Sequence, residues 1–510
     1  MKNVKVLCSL ILVLLPGASA QARESGFWGG LPAGSFTPGF RLIETSDASR
    51  SFPAADGQAV TERPMRVYVW YPAARTSSSP MRFDDYVRMA LEDFRTSVLP
   101  VPLTKGLDAG SLDKLRAASV RAVRNPGAAP GKFPLLVLGQ GLYYESPLCH
   151  FVLCEFLAAH GYVVATSPLV GTRYRLVNIT VEDVETEVRD MEFVLSVARS
   201  LPFADPGALG AVGYDLGGMA GLLLTMRHPE IQAYLSFDSS ILDKHYTGLP
   251  LTHPGYHEGT FRVPWMHMLQ ARFIRSEKDR AASPSLMERK AFGPSYLVHV
   301  PTGSHGQFSS YAALGIDRAV PGFWGPPPPD SKAIYESICR TSLAFLDSCY
   351  KKDPTALMDL LRAGTAPVTG QPAFKIESKT GAAAPPAEDG LVKLIIEKGI
   401  GQARTLVERL HADYPGVQLV SESVLNWLGA HFLYWWGREE ESVGVFELNT
   451  VLYPGSSNAF DSLGEAYANL GRTDDAIRSY KRSFELDPKN ENAKAALERL
   501  SRPVKRAPSP

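Results

Sequence analysis

Gly210-Ala211-Val212-Gly213-Tyr214-Asp215-Leu216-Gly217-Gly218 is the stretch that decides the fold. An apolar, strand-like run enters it from Leu209, and a helix-like run leaves it toward His228. Glycines at 213 and 217 let the backbone reverse sharply, which lifts the residue between them above a sheet edge, over the free N–H groups of a helix start. The spacing is that of a nucleophile elbow, whose central residue is usually serine. Here it is Asp215. The plain alternative is a glycine-rich turn with a solvent-facing aspartate.

On both sides of this turn, from Phe133 onward, short wholly apolar runs alternate with helix-length segments. That is the pattern of a parallel sheet covered by helices on both faces, so the fold class is α/β. Strands are expected at 134–138, 162–165, 209–213, 233–237, 265–269 and 296–300, and helices at 150–159, 181–199, 216–228 and 333–350. Upstream, 40–43 and the alternating run 65–71 read as an antiparallel start to the same sheet, with Pro72 ending it. Residues 82–124 carry helical periodicity through Tyr86, Met89, Leu91 and Phe94, and read as an insertion.

With 510 residues the chain exceeds one ordinary core. Lys plus Arg and Asp plus Glu both number 53, so no net charge favours nucleic acid or an acidic membrane surface. Residues 1–20 pair Lys2 and Lys5 with an apolar run and Ala18-Ser19-Ala20, the layout of a cleaved export signal, which makes the mature protein periplasmic or secreted. That run is too short to span a bilayer, and no later stretch reaches the ~20 apolar residues needed. Free buried thiols are the default reading of the four remaining cysteines, and an oxidising compartment permits the alternative of one bridge between the Cys149/Cys154 pair and the Cys339/Cys349 pair. No motif asks for a cofactor or a metal.

The segment 366–390, with Thr369-Gly370-Gln371-Pro372 and Ala382-Ala383-Ala384-Pro385-Pro386, has the composition of a linker. Beyond it, Phe460, Leu463-Gly464, Tyr467, Ala476, Tyr480 and Pro488 fall where a tetratricopeptide repeat places its packing residues. Leu425, Leu428-Gly429, Phe432, Phe446 and Pro454 give a second repeat, and Ala403, Val407, Leu410 and Pro415 a weaker first one. The repeats cover 391–501, with 491–501 as the capping helix that such arrays need.

Phe133-Pro134-Leu135-Leu136-Val137-Leu138-Gly139-Gln140-Gly141-Leu142, Leu157-Ala158-Ala159-His160-Gly161-Tyr162-Val163-Val164-Ala165, the elbow, and Leu235-Ser236-Phe237-Asp238 together resemble the platelet-activating-factor acetylhydrolase and dienelactone-hydrolase group of α/β hydrolases. The resemblance covers roughly 38–362 and implies a nucleophile, an acid and a histidine in that chain order. It assigns these places to Asp215, Asp238 and His305, with Asp243, Glu277 and Asp279 as other candidate acids. Asp238 as a helix cap, and His305 as a loop histidine held by Ser304 or Ser309, are the plain alternatives. The oxyanion donors would be the N–H groups of Leu142 and Leu216.

An ionised aspartate needs no base to attack. On an ester carbonyl it would form an anhydride, a poor intermediate, whereas on a saturated carbon it forms an alkyl ester, as in haloalkane dehalogenases and epoxide hydrolases. His305 would then activate water against that ester. Those enzymes carry tryptophan after the nucleophile, and here Leu216 follows, which offers no side-chain donor to a leaving group. Tyr143, Tyr144 and Trp265 are the candidate replacements in the pocket. The expected partner is a small-molecule substrate of unknown identity. The competing class is a hydrolase-fold scaffold without catalysis whose repeats bind a protein or peptide.

Overall fold

The computed structural model describes residues 26–501 apart from 54–59, 94–107, 143–145, 174–176, 240, 242–247, 272–275, 277, 279–283, 302–304, 315–329, 364–373, 384–385, 387 and 414–418. The leader expected at 1–20 lies outside the described residues. From the N-terminal side the chain forms β1 (Thr37–Pro53), β2 (Val60–Ala73), α1 (Phe83–Asp93), α2 (Ala109–Ala117), β3 (Val123–Arg124), β4 (Phe133–Gly139), α3 (Phe151–Ala159), β5 (Val163–Thr166), α4 (Val181–Arg199), β6 (Ala204–Tyr214) and α5 (Leu216–Arg227). It continues through β7 (Ile231–Phe237), β8 (Trp265–Gln270), β9 (Ser295–Val300), α6 (Ser331–Tyr350), α7 (Thr355–Ala363) and β10 (Lys375–Lys379).

These strands make one ten-stranded sheet in the order β10-β9-β8-β7-β6-β4-β5-β2-β1-β3. The block from β5 through β4 and β6 to β9 is parallel, while the β1–β2 hairpin and β10 pair antiparallel at its two sides. Alternate residues of each central strand feed opposite faces, as strand geometry requires. Leu136, Leu138, Val212 and Tyr214 enter one core with α3 and α6, and Leu135, Val137 and Ala211 enter the other with α4 and α5. Helix α4 shows why such segments form: the Thr180 hydroxyl caps it by accepting from Asp183 N–H, and Val184, Val188, Met191, Leu195 and Ala198 recur on its buried face. The insertion at 82–124 packs as ordinary core through Phe83, Tyr86, Val87 and Met89 of α1, whereas α2 only rests Leu112 and Leu115, half-buried, against it.

A run of helices follows: α8 (Glu388–Lys398), α9 (Ile400–Asp413), α10 (Glu422–Tyr434), α11 (Glu439–Leu452), α12 (Ser457–Asn469), α13 (Thr473–Leu486) and α14 (Glu491–Leu500). No helix among the described residues is long and apolar enough to cross a membrane.

One expectation and one alternative are corrected. The segment 366–390 is not linker throughout, because β10 lies within it and pairs with β9 from Lys375↔His299 to Lys379↔Ser295. Phe292, just before β9, is fully buried among Leu391, Ile395, Val407 and Leu425, so the sheet domain contributes to the core of the helical array. Alternation of Lys375-Ile376-Glu377-Ser378-Lys379 is a weak apolar signal, which is why composition hid the strand. The disulfide is also absent: Cys149, Cys154, Cys339 and Cys349 are all free thiols. Helices α3 and α6 do share one core, but there Cys154 and Cys339 serve as small apolar residues, and burial pushes both thiols up, away from the reactive thiolate.

One buried carboxyl ties the N-terminal segment and the insertion to α3. Glu155 accepts from Trp28 Nε1 (3.1 Å), Tyr86 O–H (3.0 Å), Arg121 N–H (3.1 Å) and Ala122 N–H (3.2 Å). Complete burial outweighs these donors and raises its pKa to about 7. A carboxyl that binds its proton more tightly folded than unfolded stabilises the fold fully below its unfolded value, and that contribution is lost as pH rises through the folded value. Glu155→Gln should therefore remove a downward slope of stability between about pH 4.5 and pH 7, read as the difference in urea midpoints between variant and parent across that range. Equal slopes would contradict the assignment.

Candidate active site

Asp215 directly follows β6 at φ 51° and ψ −115°, a region that costs a residue with a side chain about 1–3 kcal/mol. Close backbone packing holds it there. A Cβ added to Gly217 would lie 2.2 Å from the Gly139 carbonyl carbon, and one added to Gly213 would lie 2.3 Å from the Gly217 oxygen. The turn is pinned by Asp215 N–H on Phe237 O (3.1 Å), Gly217 N–H on Gln140 O (2.8 Å) and the Ser239 hydroxyl on Asp215 O (2.6 Å).

Asp238 follows β7 with its own positive φ of 39°. Its N–H donates to Met268 O (2.7 Å), which fixes it against β8, and its carboxylate accepts from Gln270 N–H (3.2 Å) and Gln270 Nε2 (2.5 Å). The same carboxylate lies 2.6 Å from His305 Nδ1. His305 opens the turn His305–Phe308 after β9, and its Nε2 lies 3.9 Å from Asp215 Oδ2. Three strand ends thus bring the three residues together, with one imidazole between two carboxylates. Ser309 does not hold the imidazole, since its hydroxyl donates to Gly306 O (2.7 Å). Ser304, Asp243, Glu277 and Asp279 lie outside the described residues.

The expected oxyanion donors have an occupant. Leu142 N–H donates to Asp215 Oδ2 at 2.9 Å. Burial raises the Asp215 pKa, while His305 and the Leu142 and Leu216 N–H groups pull it back down. The side chain keeps 20% of its surface open, so it is held yet reachable. The loop carrying Leu142 is set by Gln140, whose N–H faces Glu187 (3.3 Å) and whose side-chain amide donates to Thr166 (2.7 Å).

Trp265 does not belong to the site. It starts β8, at the end of the sheet opposite Asp238, is fully buried, and donates its indole N–H to Ser236 (2.9 Å). An aromatic at a strand start faces away from the carboxyl ends of parallel strands, where this site lies. Tyr143 and Tyr144 lie outside the described residues. Reading the sequence missed Gln270, the second partner of Asp238, and Tyr214, whose ring stacks on His305 with centroids 4.6 Å apart and whose O–H donates to the His305 carbonyl (3.1 Å). The Tyr214 signal was its place inside the elbow; Gln270 carries no signal beyond ending a strand. Among the described residues no group of three or more His, Cys, Asp or Glu could hold a metal ion.

No protein-family model matches the chain, and no curated protein matches it. Among solved structures it is similar to a ferulic acid esterase from Streptomyces cinnamoneus, with 20% identity and a TM-score of 0.50 over 68% of this chain and 98% of that one. Likeness at that identity speaks for the fold: a large mixed sheet of the esterase, α/β-hydrolase type, followed by a run of helices.

Gly217→Ala should disrupt the elbow, at a cost of about 3 kcal/mol in unfolding measurements. Gly401→Ala, where nothing lies within 4 Å, should be neutral or mildly stabilising. Equal effects would mean that the close approach at 217 is not a constraint.

Proposed function

We propose that this chain is a hydrolase in which Asp215 is the covalent nucleophile toward a saturated carbon. The observation that carries the reading is the Leu142 N–H on Asp215 Oδ2, with His305 Nε2 near the same oxygen. An ester hydrolase needs that N–H free for the substrate carbonyl. An alkyl-transferring aspartate needs it on its own carboxylate, because that oxygen becomes the oxyanion in the second half of the reaction.

The free oxygen, Oδ1, attacks carbon and displaces the leaving group with its electron pair, forming an alkyl ester. Water beside His305 Nε2 then gives its proton to the imidazole and attacks the Asp215 carboxyl carbon. Charge collects on Oδ2, which already accepts from the Leu142 N–H, with the Leu216 N–H as the second proposed donor. Collapse expels the alcohol oxygen, which takes the proton from His305, and Asp215, left as the acid carrying the oxygen from water, releases its proton to solvent and is restored as the carboxylate. Asp238 holds the imidazole in the tautomer with Nε2 facing water and stabilises it when charged.

On this proposal the leader at 1–20 exports the enzyme, and the helices after 388 form tetratricopeptide repeats. Two equivalent contacts support the repeat assignment: Gly429 lies against the Phe446 ring and Gly464 against the Tyr480 ring, each a small residue on one helix under an aromatic of the next. The second reading, a scaffold that binds partners through the array, draws on the exposed aromatics Trp427, Tyr434, Trp435 and Trp436 around His431. Such a patch suits a protein or peptide partner.

His305→Gln should accept alkyl from a halide or epoxide panel and stall, with ester breakdown slowed on the order of 1000-fold. Intact mass and peptide mapping would find the adduct on Asp215, and Asp215→Asn would abolish it. Alkylation should fall on acidification at a higher pH than an exposed aspartate allows, since burial raises the Asp215 pKa. Asp215→Ser, which frees the Leu142 N–H, should hydrolyse a small activated ester. Absence of adduct and of esterase activity together would favour the scaffold.

A further inference from the structure

Among the described residues named so far, none offers a side-chain donor to the departing group: Leu216 has none and Trp265 is remote. One buried polar side chain beside the site has as yet no role, His150. It ends the short turn Pro147–His150 that leads into α3, is 1% exposed, and has no hydrogen-bond partner on either ring nitrogen among the described residues. It does not cap α3 through its side chain. A buried polar group with no partner is costly, and native proteins seldom keep one without a use.

Its position is specific. The His150 ring meets Tyr214 edge-on with centroids 5.0 Å apart, and Tyr214 stacks on His305, so two imidazoles flank one ring of the elbow. The main chain around it is anchored to the turn that follows His305: Ser310 N–H donates to Cys149 O (2.6 Å), and Val152 N–H donates to Ser310 Oγ (3.0 Å). His150 is thereby fixed to the same wall as the catalytic histidine. Burial, with the His305 charge adding to it, pushes the His150 pKa down to about 3. The imidazole is then neutral at working pH and carries one N–H donor.

We propose that His150 is the leaving-group donor, its imidazole N–H hydrogen-bonding the anion released as Asp215 alkylates. This rests on the reading of Asp215 as nucleophile. The C–X bond breaks as the Asp215 oxygen–carbon bond forms; X leaves with the electron pair, and no proton is transferred. The N–H stabilises the negative charge that passes from the Asp215 carboxylate to X as the ester forms.

The test compares 1-chlorobutane, 1-bromobutane and 1-iodobutane as alkylating probes of the full chain carrying His305→Gln. Adding His150→Phe should slow the chloride on the order of 100-fold and the iodide by less than about 5-fold, because a poorer leaving group leans harder on the donor. His150→Gln, which keeps a donor, should hold the chloride rate within about 10-fold of the parent. Equal slowing of all three halides would overturn the proposal and leave His150 a packing residue. Sodium bromide provides an independent arm through the His150 imidazole nitrogen resonances of the otherwise unaltered protein. A saturable shift supports the donor role; no shift ends it. If Asp215 takes no alkyl group from any probe, the nucleophile reading fails, the leaving-group role falls with it, and the bromide arm reports only whether His150 binds an anion.

Discussion

The hydrogen bond from Leu142 N–H to Asp215 Oδ2 is the constraint on which the site depends. It fixes which carboxylate oxygen is held and which is free, and so divides the two halves of the proposed reaction between the two oxygens. It exists because the turn after β4 and the turn after β6 approach until Gly139 and Gly217 leave no room for a side chain. Those turns neighbour each other because β4 and β6 pair in parallel, with Gly139 opposite Gly213. The sheet order is thus the cause of the contact, and the strained φ of Asp215 is its local consequence.

The same logic places the partners. Asp238 and His305 come from the ends of β7 and the turn after β9, and Gln270 at the end of β8 bridges the gap between those strands by holding Asp238. A parallel sheet presents all its carboxyl ends on one edge, so residues far apart in sequence converge without long loops. Asp238 pays for its place with a positive φ, as Asp215 does. Two strained aspartates on adjacent strands are what a site, rather than a packing arrangement, would keep.

Much of this was legible in the residues. Wholly apolar runs such as 134–138 and 209–213 announce buried parallel strands, and glycine spacing announces the elbow. The order Asp215, Asp238, His305 after successive strands located the three residues that the fold brings together. What could not be read has physical reasons. Lys375–Lys379 joins the sheet through its backbone, and a charged edge strand leaves little apolar pattern. The cysteines of α3 and α6 share a core, but sharing a core does not place two sulfurs in bonding geometry. Trp265 is a strand-start residue whose side chain is spent on Ser236, a distinction of sheet end that spacing does not carry. His150 gave no periodic signal at all, because its significance lies in the absence of partners around a buried ring.

The central claim is that Asp215 forms an ester that water opens at the carboxyl carbon. Single-turnover reaction in heavy-oxygen water, with an alkyl probe limiting, measures it directly. The account predicts unlabelled alcohol and label incorporated into the Asp215 carboxylate; label in the alcohol with none in Asp215 would mean that water attacks the substrate itself, and would contradict it.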